Sequence, residues 1–237
     1  MVLVELRSSQ VVPEQAFQAT DEIRVYDSVR DTAAEFASRR DSSFLIQELA
    51  GPFGRADFLL AFPDWSRLTA RQNVGLRPLR LMTEARLVAA LSGRYARTID
   101  DVALRSGMTA SSANRTARDL AGSGHVQVAL DGRLRRHPDL VSVVTTAAYE
   151  AKVREWQSGL RQARHYALWN RWSTLVLEIA RNRPELVKQA RRHGLGVVVD
   201  GTRLVAPRVQ RVPSYLQLMA SETVLAATNM LLAVSED

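Results

Sequence analysis

Short apolar runs of strand character alternate along the chain with longer stretches of helical spacing, and this alternation predicts an α/β protein. A turn at residues 51–54 joins the first two predicted strands, and Asp200 and Gly201 form the tight turn of a hairpin. The predicted strands cover residues 44–50, 56–62, the end of 140–152, 174–179, 197–200 and 203–206.

Apolar residues at helical spacing predict that most of the first forty residues are helical, with Pro13 in a first turn. The apolar stripe of this region consists of Phe17, Ile23, Tyr26, Val29 and Phe36. Residues 63–78 form a polar, arginine-rich link between predicted elements. Further helices are predicted from residue 153 onward, over residues 184–193 and over residues 213–234.

The composition excludes several classes of protein. The chain of 237 residues is long enough for one large domain or two small ones with a buried core. It contains no cysteine, which excludes disulfides, thiol nucleophiles and cysteine-based zinc sites. It has no glycine-rich nucleotide-binding loop and no nucleophile elbow, and its four histidines lack metal-ligand spacing. The longest apolar stretch is too short to span a membrane and no cleavable signal is evident, so we expect a cytoplasmic protein without membrane association.

The charge of the chain points to a polyanionic partner. The net charge of +7 and the isoelectric point near 10.5 make nucleic acid the first partner to consider. Between residues 67 and 136, thirteen arginines stand against five acidic residues, while the remaining sequence as a whole is close to neutral. A high isoelectric point can serve only to keep a protein soluble, but a local excess of this size favours a surface that docks nucleic acid.

The same basic segment contains the signals of a helix-turn-helix. Thr98 can cap a helix that ends near Gly107, a residue suited to a left-handed turn, and Thr109 can cap the next helix. Residues 126–136 then predict a β-hairpin around a tight Asp-Gly turn. Two helices joined by a glycine turn and followed by a basic hairpin resemble the winged helix-turn-helix family, particularly its MarR-like members.

This resemblance implies that the second helix reads the major groove of double-stranded DNA and that the hairpin touches phosphates. The outward face of that helix carries short hydrogen-bonding side chains and arginines, namely Ser111, Ser112, Asn114, Arg115 and Arg118. The hairpin contributes Arg133, Arg135 and Arg136. The structural alternative is a small helical subdomain with incidental arginines, or a winged helix that binds protein.

A second group of polar residues flanks the basic segment. Asp57 lies at the start of one predicted strand, and Glu150 and Lys152 close another. Residues two apart on a strand share a face, so Glu150 and Lys152 can both face Asp57 if the two strands pair. Two carboxylates can bind Mg²⁺ through oxygen, and a neighbouring ammonium can orient the water that the metal activates. On the following helix, Gln162 and Tyr166 are four residues apart and share a face.

Three short motifs, taken in this order, resemble the PD-(D/E)xK nuclease superfamily, and the third resembles its RecB-like branch. They are Gly54-x-x-Asp57, Glu150-x-Lys152 and Gln162-x-x-x-Tyr166. The resemblance implies a restriction-endonuclease-like core, a mixed sheet flanked by helices, over residues 14–62 and 140–206. The winged helix would be an insertion between the second and third strands of this core. We therefore expect a first part of the core at residues 1–78, the insertion at residues 79–138 and a second part of the core with a C-terminal helix at residues 139–237.

By the same resemblance, Asp57 and Glu150 would be ligands of Mg²⁺ or Mn²⁺, and Lys152 would position the attacking water. Gln162 and Tyr166 would be supporting residues of the catalytic site. Two weaker candidates for an additional acid are Glu35 and Glu48.

The combined pattern favours a Mg²⁺-dependent DNA endonuclease that is positioned on duplex DNA by its winged helix. One alternative is a non-catalytic transcriptional regulator on a degenerate nuclease-like scaffold, and another is an architectural subunit of a larger complex. Palindromic sites suit a homodimer, and the C-terminal helix can either supply such an interface or pack on its own core. The apolar residues in question are Leu216, Met219, Leu225 and Met230.

Overall fold

A computed structural model describes residues 3–7, 20–38 and 42–228 of the chain, which divides into two compact units. The first, here called the sheet unit, consists of Met1–Pro63 and Val144–Val212. The second, the helical unit, consists of Asp64–Val143 and Pro213–Asp237. The inserted stretch is thus longer than the predicted 79–138, and the C-terminal helix falls in the helical unit instead of the predicted core.

The described residues contain nine strands and eight helices. The strands are β1 (Leu3–Arg7), β2 (Ser43–Gly51), β3 (Gly54–Pro63), β4 (Val126–Val128), β5 (Leu134–Arg136), β6 (Val144–Lys152), β7 (Trp172–Leu177), β8 (Gly196–Val199) and β9 (Thr202–Val205). The helices are α1 (Thr20–Ala37), α2 (Trp65–Asn73), α3 (Met82–Ala90), α4 (Ile99–Ser106), α5 (Ala110–Gly122), α6 (Trp156–Tyr166), α7 (Arg183–His193) and α8 (Ser214–Thr228).

Seven strands of the sheet unit form one mixed sheet in the order β1-β2-β3-β6-β7-β8-β9. The neighbours β2, β3 and β6 are antiparallel, whereas β1 runs parallel to β2, and β7 runs parallel to both β6 and β8. The helical unit is inserted between β3 and β6, two strands that pair directly. The predicted mixed sheet flanked by helices is therefore confirmed.

The prediction that the first forty residues are mainly helical is wrong for Leu3–Arg7, which form the edge strand β1. Apolar and polar residues alternate from Val4 to Arg7, and the parallel ladder with β2 provides partners for the backbone. Because of this extra strand, the insertion follows the third strand of the sheet instead of the second. Helix α1 begins only at Thr20, while Pro13 and Phe17 lie outside the described residues.

Residues 63–78, predicted as a polar link, contain helix α2. Asp64 caps this helix by accepting a hydrogen bond from the Arg67 amide at 3.2 Å. The inward face of α2 includes Arg71, which is fully buried and forms a bidentate ion pair with the equally buried Glu222 of α8. A buried arginine conceals the amphipathic pattern of α2, since its compensating charge lies 151 residues away in the sequence.

The two faces of the sheet carry different helices. Helix α1 packs on one face, where Val29 belongs to the same apolar cluster as Phe58 of β3. Helices α6 and α7 pack on the other face, where Leu160 meets Leu175 of β7. Side chains alternate along a strand, so Asp57, the neighbour of Phe58, points to the face covered by α6.

In the helical unit, two capped helices are joined by a left-handed glycine. Thr98 Oγ1 accepts a hydrogen bond from the Asp101 amide at 3.3 Å and caps α4, and Gly107 ends that helix with a φ of +67°. Thr109 Oγ1 caps α5 by accepting from the Ser112 amide at 3.2 Å. The antiparallel strands β4 and β5 follow. These elements come in the order that the sequence predicts.

Helix α8 packs inside the helical unit. Leu216 and Leu225 are buried, and Met219 packs against the apolar cluster of the helical unit. These side chains are covered within the chain, which supports the alternative that the C-terminal helix packs on its own core. Met230 lies outside the described residues. Among the residues that the structure describes, no helix has both the length and the apolar character needed to cross a membrane.

Candidate active site

Asp57 of β3 and Glu150 of β6 lie opposite each other in the sheet. The antiparallel register pairs Phe58 with Tyr149, so one step further along each strand brings Asp57 opposite Glu150. Directly opposed residues of an antiparallel pair point to the same face. At this point a side chain joins the two strands, because the amide of Ala151 donates a hydrogen bond to Asp57 Oδ2 at 2.8 Å.

Glu150 is fully buried, and each of its carboxylate oxygens has a polar neighbour. Lys152 Nζ lies 2.8 Å from Oε1, and the Tyr166 hydroxyl lies 2.8 Å from Oε2. Lys152 reaches Glu150 because residues two apart on β6 share a face. The structure thus brings Asp57, Glu150, Lys152 and Tyr166 together, as the spacing of the motifs predicts; their catalytic roles stay predictions.

Burial raises the pKa of Glu150 to about 7, and the negative charge of Asp57 contributes to the rise. Lys152 and Tyr166 act in the opposite direction, because both stabilise the ionised carboxylate. Near neutral pH, Glu150 is therefore a mixture of its protonated and ionised forms. Because a metal binds the ionised form, any binding of a cation through this carboxylate would depend on pH.

The Tyr166 hydroxyl has two acceptors and only one proton. Its oxygen lies 2.7 Å from the backbone carbonyl oxygen of Arg55 and 2.8 Å from Glu150 Oε2. The single proton can therefore serve only one of the two acceptors at a time, and its donation to Glu150 Oε2 stabilises the ionised carboxylate. Burial, together with the charge of Glu150, raises the pKa of Tyr166 far above its ordinary value, so the hydroxyl keeps its proton.

Two glycines shape the site: Gly54 permits the backbone conformation of the turn before Asp57, and Gly159 lets α6 approach β6. Gly54, which opens the first motif, has a φ of +109°, and a Cβ there would lie 3.8 Å from the Tyr166 ring. A Cβ at Gly159 of α6 would lie only 2.9 Å from Lys152 Cγ, closer than real Cβ atoms come. Side chains at these positions would therefore strain the turn or push α6 away from β6.

Gln162 shares the face of α6 that carries Tyr166. Its Oε1 is buried and has no hydrogen-bond partner among the described residues. An unpaired buried acceptor costs free energy unless a bound water or ligand donates to it. The structure therefore places Gln162 on the site-facing side of α6, without a hydrogen bond to the acidic residues.

Glu48 is a third acidic residue near this position. The register of β2 and β3 leaves it opposite Asp57, and its φ of +54° is uncommon for a residue other than glycine. Its carboxylate lies 3.6 Å from the guanidinium of Arg55. By contrast, Glu35 belongs to α1, which packs on the other face of the sheet, and pairs with Arg203.

Arg55 belongs to this site although no motif marks it. It lies two residues before Asp57 on β3 and so shares its face. Its side chain is 57% exposed, which leaves the guanidinium accessible from solvent. The only sequence signal for Arg55 is this spacing from Asp57, which by itself is too common to be diagnostic.

The donor chemistry of the site fits a hard divalent cation. Mg²⁺ prefers oxygen ligands and commonly binds one or two carboxylates, while waters and phosphate oxygens complete its shell. Asp57 and Glu150 would supply these two carboxylates. Over residues 3–7, 20–38 and 42–228, no group of three or more His, Asp or Glu side chains is arranged to hold a metal ion. A cation here would rely on water and substrate for its other ligands.

In the helical unit, the outer face of α5 is open to solvent. Ser111, Asn114, Arg115 and Arg118 are exposed, and Ser112 is partly buried in the capped first turn. This arrangement leaves the predicted DNA-contact residues of α5 accessible.

The three hairpin arginines differ in their partners. Arg133 lies 3.4 Å from the carboxylate of Asp131, and Arg135 donates a hydrogen bond to the neutral Gln127 side chain at 2.7 Å. Arg136 donates to the carbonyl oxygen of Leu140 at 2.6 Å, and desolvation lowers the pKa of Arg136. Among the described residues, the exposed Arg135 thus has no acidic partner, whereas Arg136 forms its hydrogen bond partly inside the unit.

The three motifs that resemble the nuclease superfamily contribute their side chains to one face of the sheet unit. Comparison of the chain with protein-family models, with curated proteins and with solved structures found no match. The resemblance to that superfamily therefore rests on the short motifs of the sequence alone.

Proposed function

We propose that this protein is a deoxyribonuclease that depends on Mg²⁺ or Mn²⁺ and hydrolyses phosphodiester bonds of duplex DNA. The observation that carries the proposal is the convergence of Asp57, Glu150 and Lys152 on one face of the sheet. Two carboxylates and an amine in this arrangement match the needs of phosphodiester hydrolysis, in which negative charge builds up on oxygen.

Each residue has a distinct part in the proposed mechanism. Asp57 and Glu150 would hold the cation, which lowers the pKa of water and neutralises the phosphate. Lys152 orients the attacking water and offers a proton to developing negative charge. Tyr166 fixes Glu150 through its hydroxyl, and the unpaired Gln162 Oε1 accepts a hydrogen bond from an ordered water.

We further propose that the helical unit binds DNA as a winged helix-turn-helix. Its support is the exposed face of α5, where Asn114, Arg115 and Arg118 can reach base edges or phosphates. Arg135 of the hairpin retains a surface charge suited to a phosphate. Binding through these residues would hold the duplex while the sheet unit cleaves it.

One observation favours a non-catalytic regulator as the second candidate. Both oxygens of Glu150 are engaged, one by Lys152 and one by Tyr166, so the cluster could serve only to tie β6 to α6. In that case the helical unit would read an operator and the sheet unit would be a scaffold.

The cleavage of supercoiled plasmid by the full-length chain decides between the two candidates. We expect cleavage with Mg²⁺ or Mn²⁺ and none in EDTA, with a loss of at least about a hundredfold in Asp57→Asn and in Lys152→Met. Glu35→Gln is the matched control, because it removes an acid on the other face of the sheet and should leave cleavage unchanged. DNA binding without metal-dependent cleavage in the wild type would support the regulator.

A further inference from the structure

The basic charge of the chain has a second concentration, in the sheet unit. Residues 153–212 contain twelve arginine and lysine residues against four acidic residues, an excess of eight positive charges. This equals the excess of residues 67–136. It is hidden in the total because residues 1–66 hold eleven acidic residues against six arginines and residues 213–237 are acidic.

Folding gathers part of this charge at the surface of α6 and the end of α7. The two helices pack side by side on one apolar cluster. The arginines concerned are exposed, and none forms an ion pair with an acidic residue in the described part of the chain. They are Arg161 and Arg164 of α6, Arg191 and Arg192 of α7, and Arg208.

Two observations bring four of these arginines together in two pairs, and Arg161 lies about one helical turn before Arg164 on α6. His193, the last residue of α7, has its pKa lowered by partial burial and by the positive charges of Arg164 and Arg192, so both arginines lie near its ring. On the other side, Arg191 and Arg208 line a cavity of about 230 Å³ beside Gly194. We call this group of five arginines the α6–α7 surface.

Stabilisation of the helix end does not account for the whole α6–α7 surface. The C-terminus of a helix carries about half a negative charge, which favours cations in its last turn. Arg191 and Arg192 lie in the last turn of α7 and Arg164 lies in the last turn of α6, but Arg161 and Arg208 lie in no such turn. Five like charges that have no acidic partner in the described part of the chain repel one another, and a polyanion relieves this repulsion.

We propose that the α6–α7 surface is a second nucleic-acid contact, which binds the phosphate backbone of duplex DNA beside the acidic site. Helix α6 links the two, because Tyr166 on its inner side contacts Glu150 while Arg161 and Arg164 lie on its exposed side. The proposal rests on the proposed function for its choice of DNA as the polyanion. It extends that function by giving the sheet unit its own hold on the duplex, independent of α5.

The test is the salt dependence of binding to a 20-base-pair duplex by the full-length chain in EDTA. Arg164→Gln/Arg192→Gln removes two charges from the surface, and Arg30→Gln/Arg203→Gln is the matched control. Both control arginines also belong to the sheet unit, and each is paired with an acidic residue. We expect the first variant to lose about tenfold in affinity at 0.1 M salt and to flatten the slope of log K against log[salt] by about two, and the control to change neither.

Two further variants separate the effect of charge from damage to the fold and from binding by α5. Arg164→Lys/Arg192→Lys keeps the charge and should restore the slope, whereas damage to the fold would not be repaired. In an Arg115→Ala/Arg118→Ala background, the remaining affinity should depend on Arg164 and Arg192.

Equal salt slopes for Arg164→Gln/Arg192→Gln and its control Arg30→Gln/Arg203→Gln would overturn the proposal. So would charge-dependent binding to phosphatidylserine vesicles together with unchanged DNA binding, since the surface would then fit a membrane.

Because these measurements contain no divalent metal, they do not depend on hydrolysis. If the wild type never cleaves DNA but Arg164→Gln/Arg192→Gln flattens the salt slope as expected, the nuclease is refuted and the α6–α7 surface is supported. If the wild type cleaves DNA but Arg164→Gln/Arg192→Gln binds DNA just as the control Arg30→Gln/Arg203→Gln does, the nuclease is supported and the α6–α7 surface is refuted.

Discussion

Lys152 Nζ lies 2.8 Å from Glu150 Oε1, although Glu150 is fully buried and the Lys152 side chain keeps 23% of its surface exposed. The ammonium and a divalent cation would therefore compete for the same carboxylate. Protons compete as well, because burial raises the pKa of Glu150 to about 7. We therefore expect two opposite effects of rising pH. The folded protein loses stability, whereas the proposed binding of a metal ion becomes tighter.

The first prediction concerns stability. The pKa of Glu150 rises from 4.5 to about 7 on folding, so the folded chain keeps a proton that the unfolded chain loses between these values. The contribution of Glu150 to stability is full below about pH 4.5 and is lost as pH rises through 7, by up to about 3 kcal/mol. Glu150→Gln imitates the neutral form, so it should unfold at higher urea concentration than the wild type at pH 8.

At pH 5 the same variant should have nearly wild-type stability. Glu35→Gln serves as the control, since it removes an exposed acid and should leave the pH dependence as it is. If Glu150→Gln were the less stable protein at pH 8 in metal-free buffer, Glu150 would be charged and favourably paired in the folded chain.

The second prediction concerns the Tyr166 hydroxyl. Tyr166→Phe removes a donor that stabilises the ionised Glu150, so the pKa of Glu150 should rise further. We expect the acidic limb of the cleavage profile to move to higher pH, together with a loss of about 1–3 kcal/mol in unfolding free energy. An unchanged pH profile in a folded Tyr166→Phe protein would show that the hydroxyl does not act on Glu150.

The third prediction concerns the buried pair that joins α2 to α8. Arg71 and Glu222 are fully buried, and Glu222 also accepts a hydrogen bond from the Leu79 amide at 2.7 Å. Arg71→Met alone should cost about 3–5 kcal/mol, because it leaves an uncompensated carboxylate inside the unit. Arg71→Met/Glu222→Leu should recover part of this loss. Chemical denaturation of the wild type, of Arg71→Met, of Glu222→Leu and of the double variant measures the coupling between the two residues. A loss of unfolding free energy in the double variant equal to the sum of the two single losses would contradict the coupling.

The fourth prediction concerns α5. Arg115→Ala/Arg118→Ala should weaken binding to duplexes of any sequence and reduce the salt slope by about two if both arginines contact phosphates. Arg105→Ala is a suitable control, because Arg105 lies on α4 and is paired with Asp101 at 2.8 Å. Fluorescence anisotropy in EDTA provides the measurement. Equal affinity of the double variant and the wild type would remove α5 from the interface.

The sequence predicts the part of the site that depends on strand periodicity. A period of two places Glu150 and Lys152 on one face, and the pairing of β3 with β6 brings Asp57 opposite them. Local signals were also sufficient to predict the two capped helices on either side of Gly107. The side chains of Thr98 and Thr109 accept hydrogen bonds from amides only three residues further along the chain.

Features that depend on distant partners were not predictable from the sequence. Helix α2 reads as a polar link because its buried Arg71 finds its partner only in α8. The left-handed backbone of Glu48 has no sequence signal, since glycine is the residue expected there. The charge excess of residues 153–212 is hidden in the total, because acidic residues at both ends of the chain cancel it.

The proposed nuclease requires that Asp57 and Glu150 together hold one divalent cation. A titration of the full-length chain with Mn²⁺, followed by electron paramagnetic resonance, measures this binding without any cleavage. We predict one site per chain at pH 8, weaker binding at pH 6 because Glu150 is then largely protonated, and loss of the site in Asp57→Asn. Undiminished Mn²⁺ binding in Asp57→Asn, or no binding in the wild type at pH 8, would contradict it.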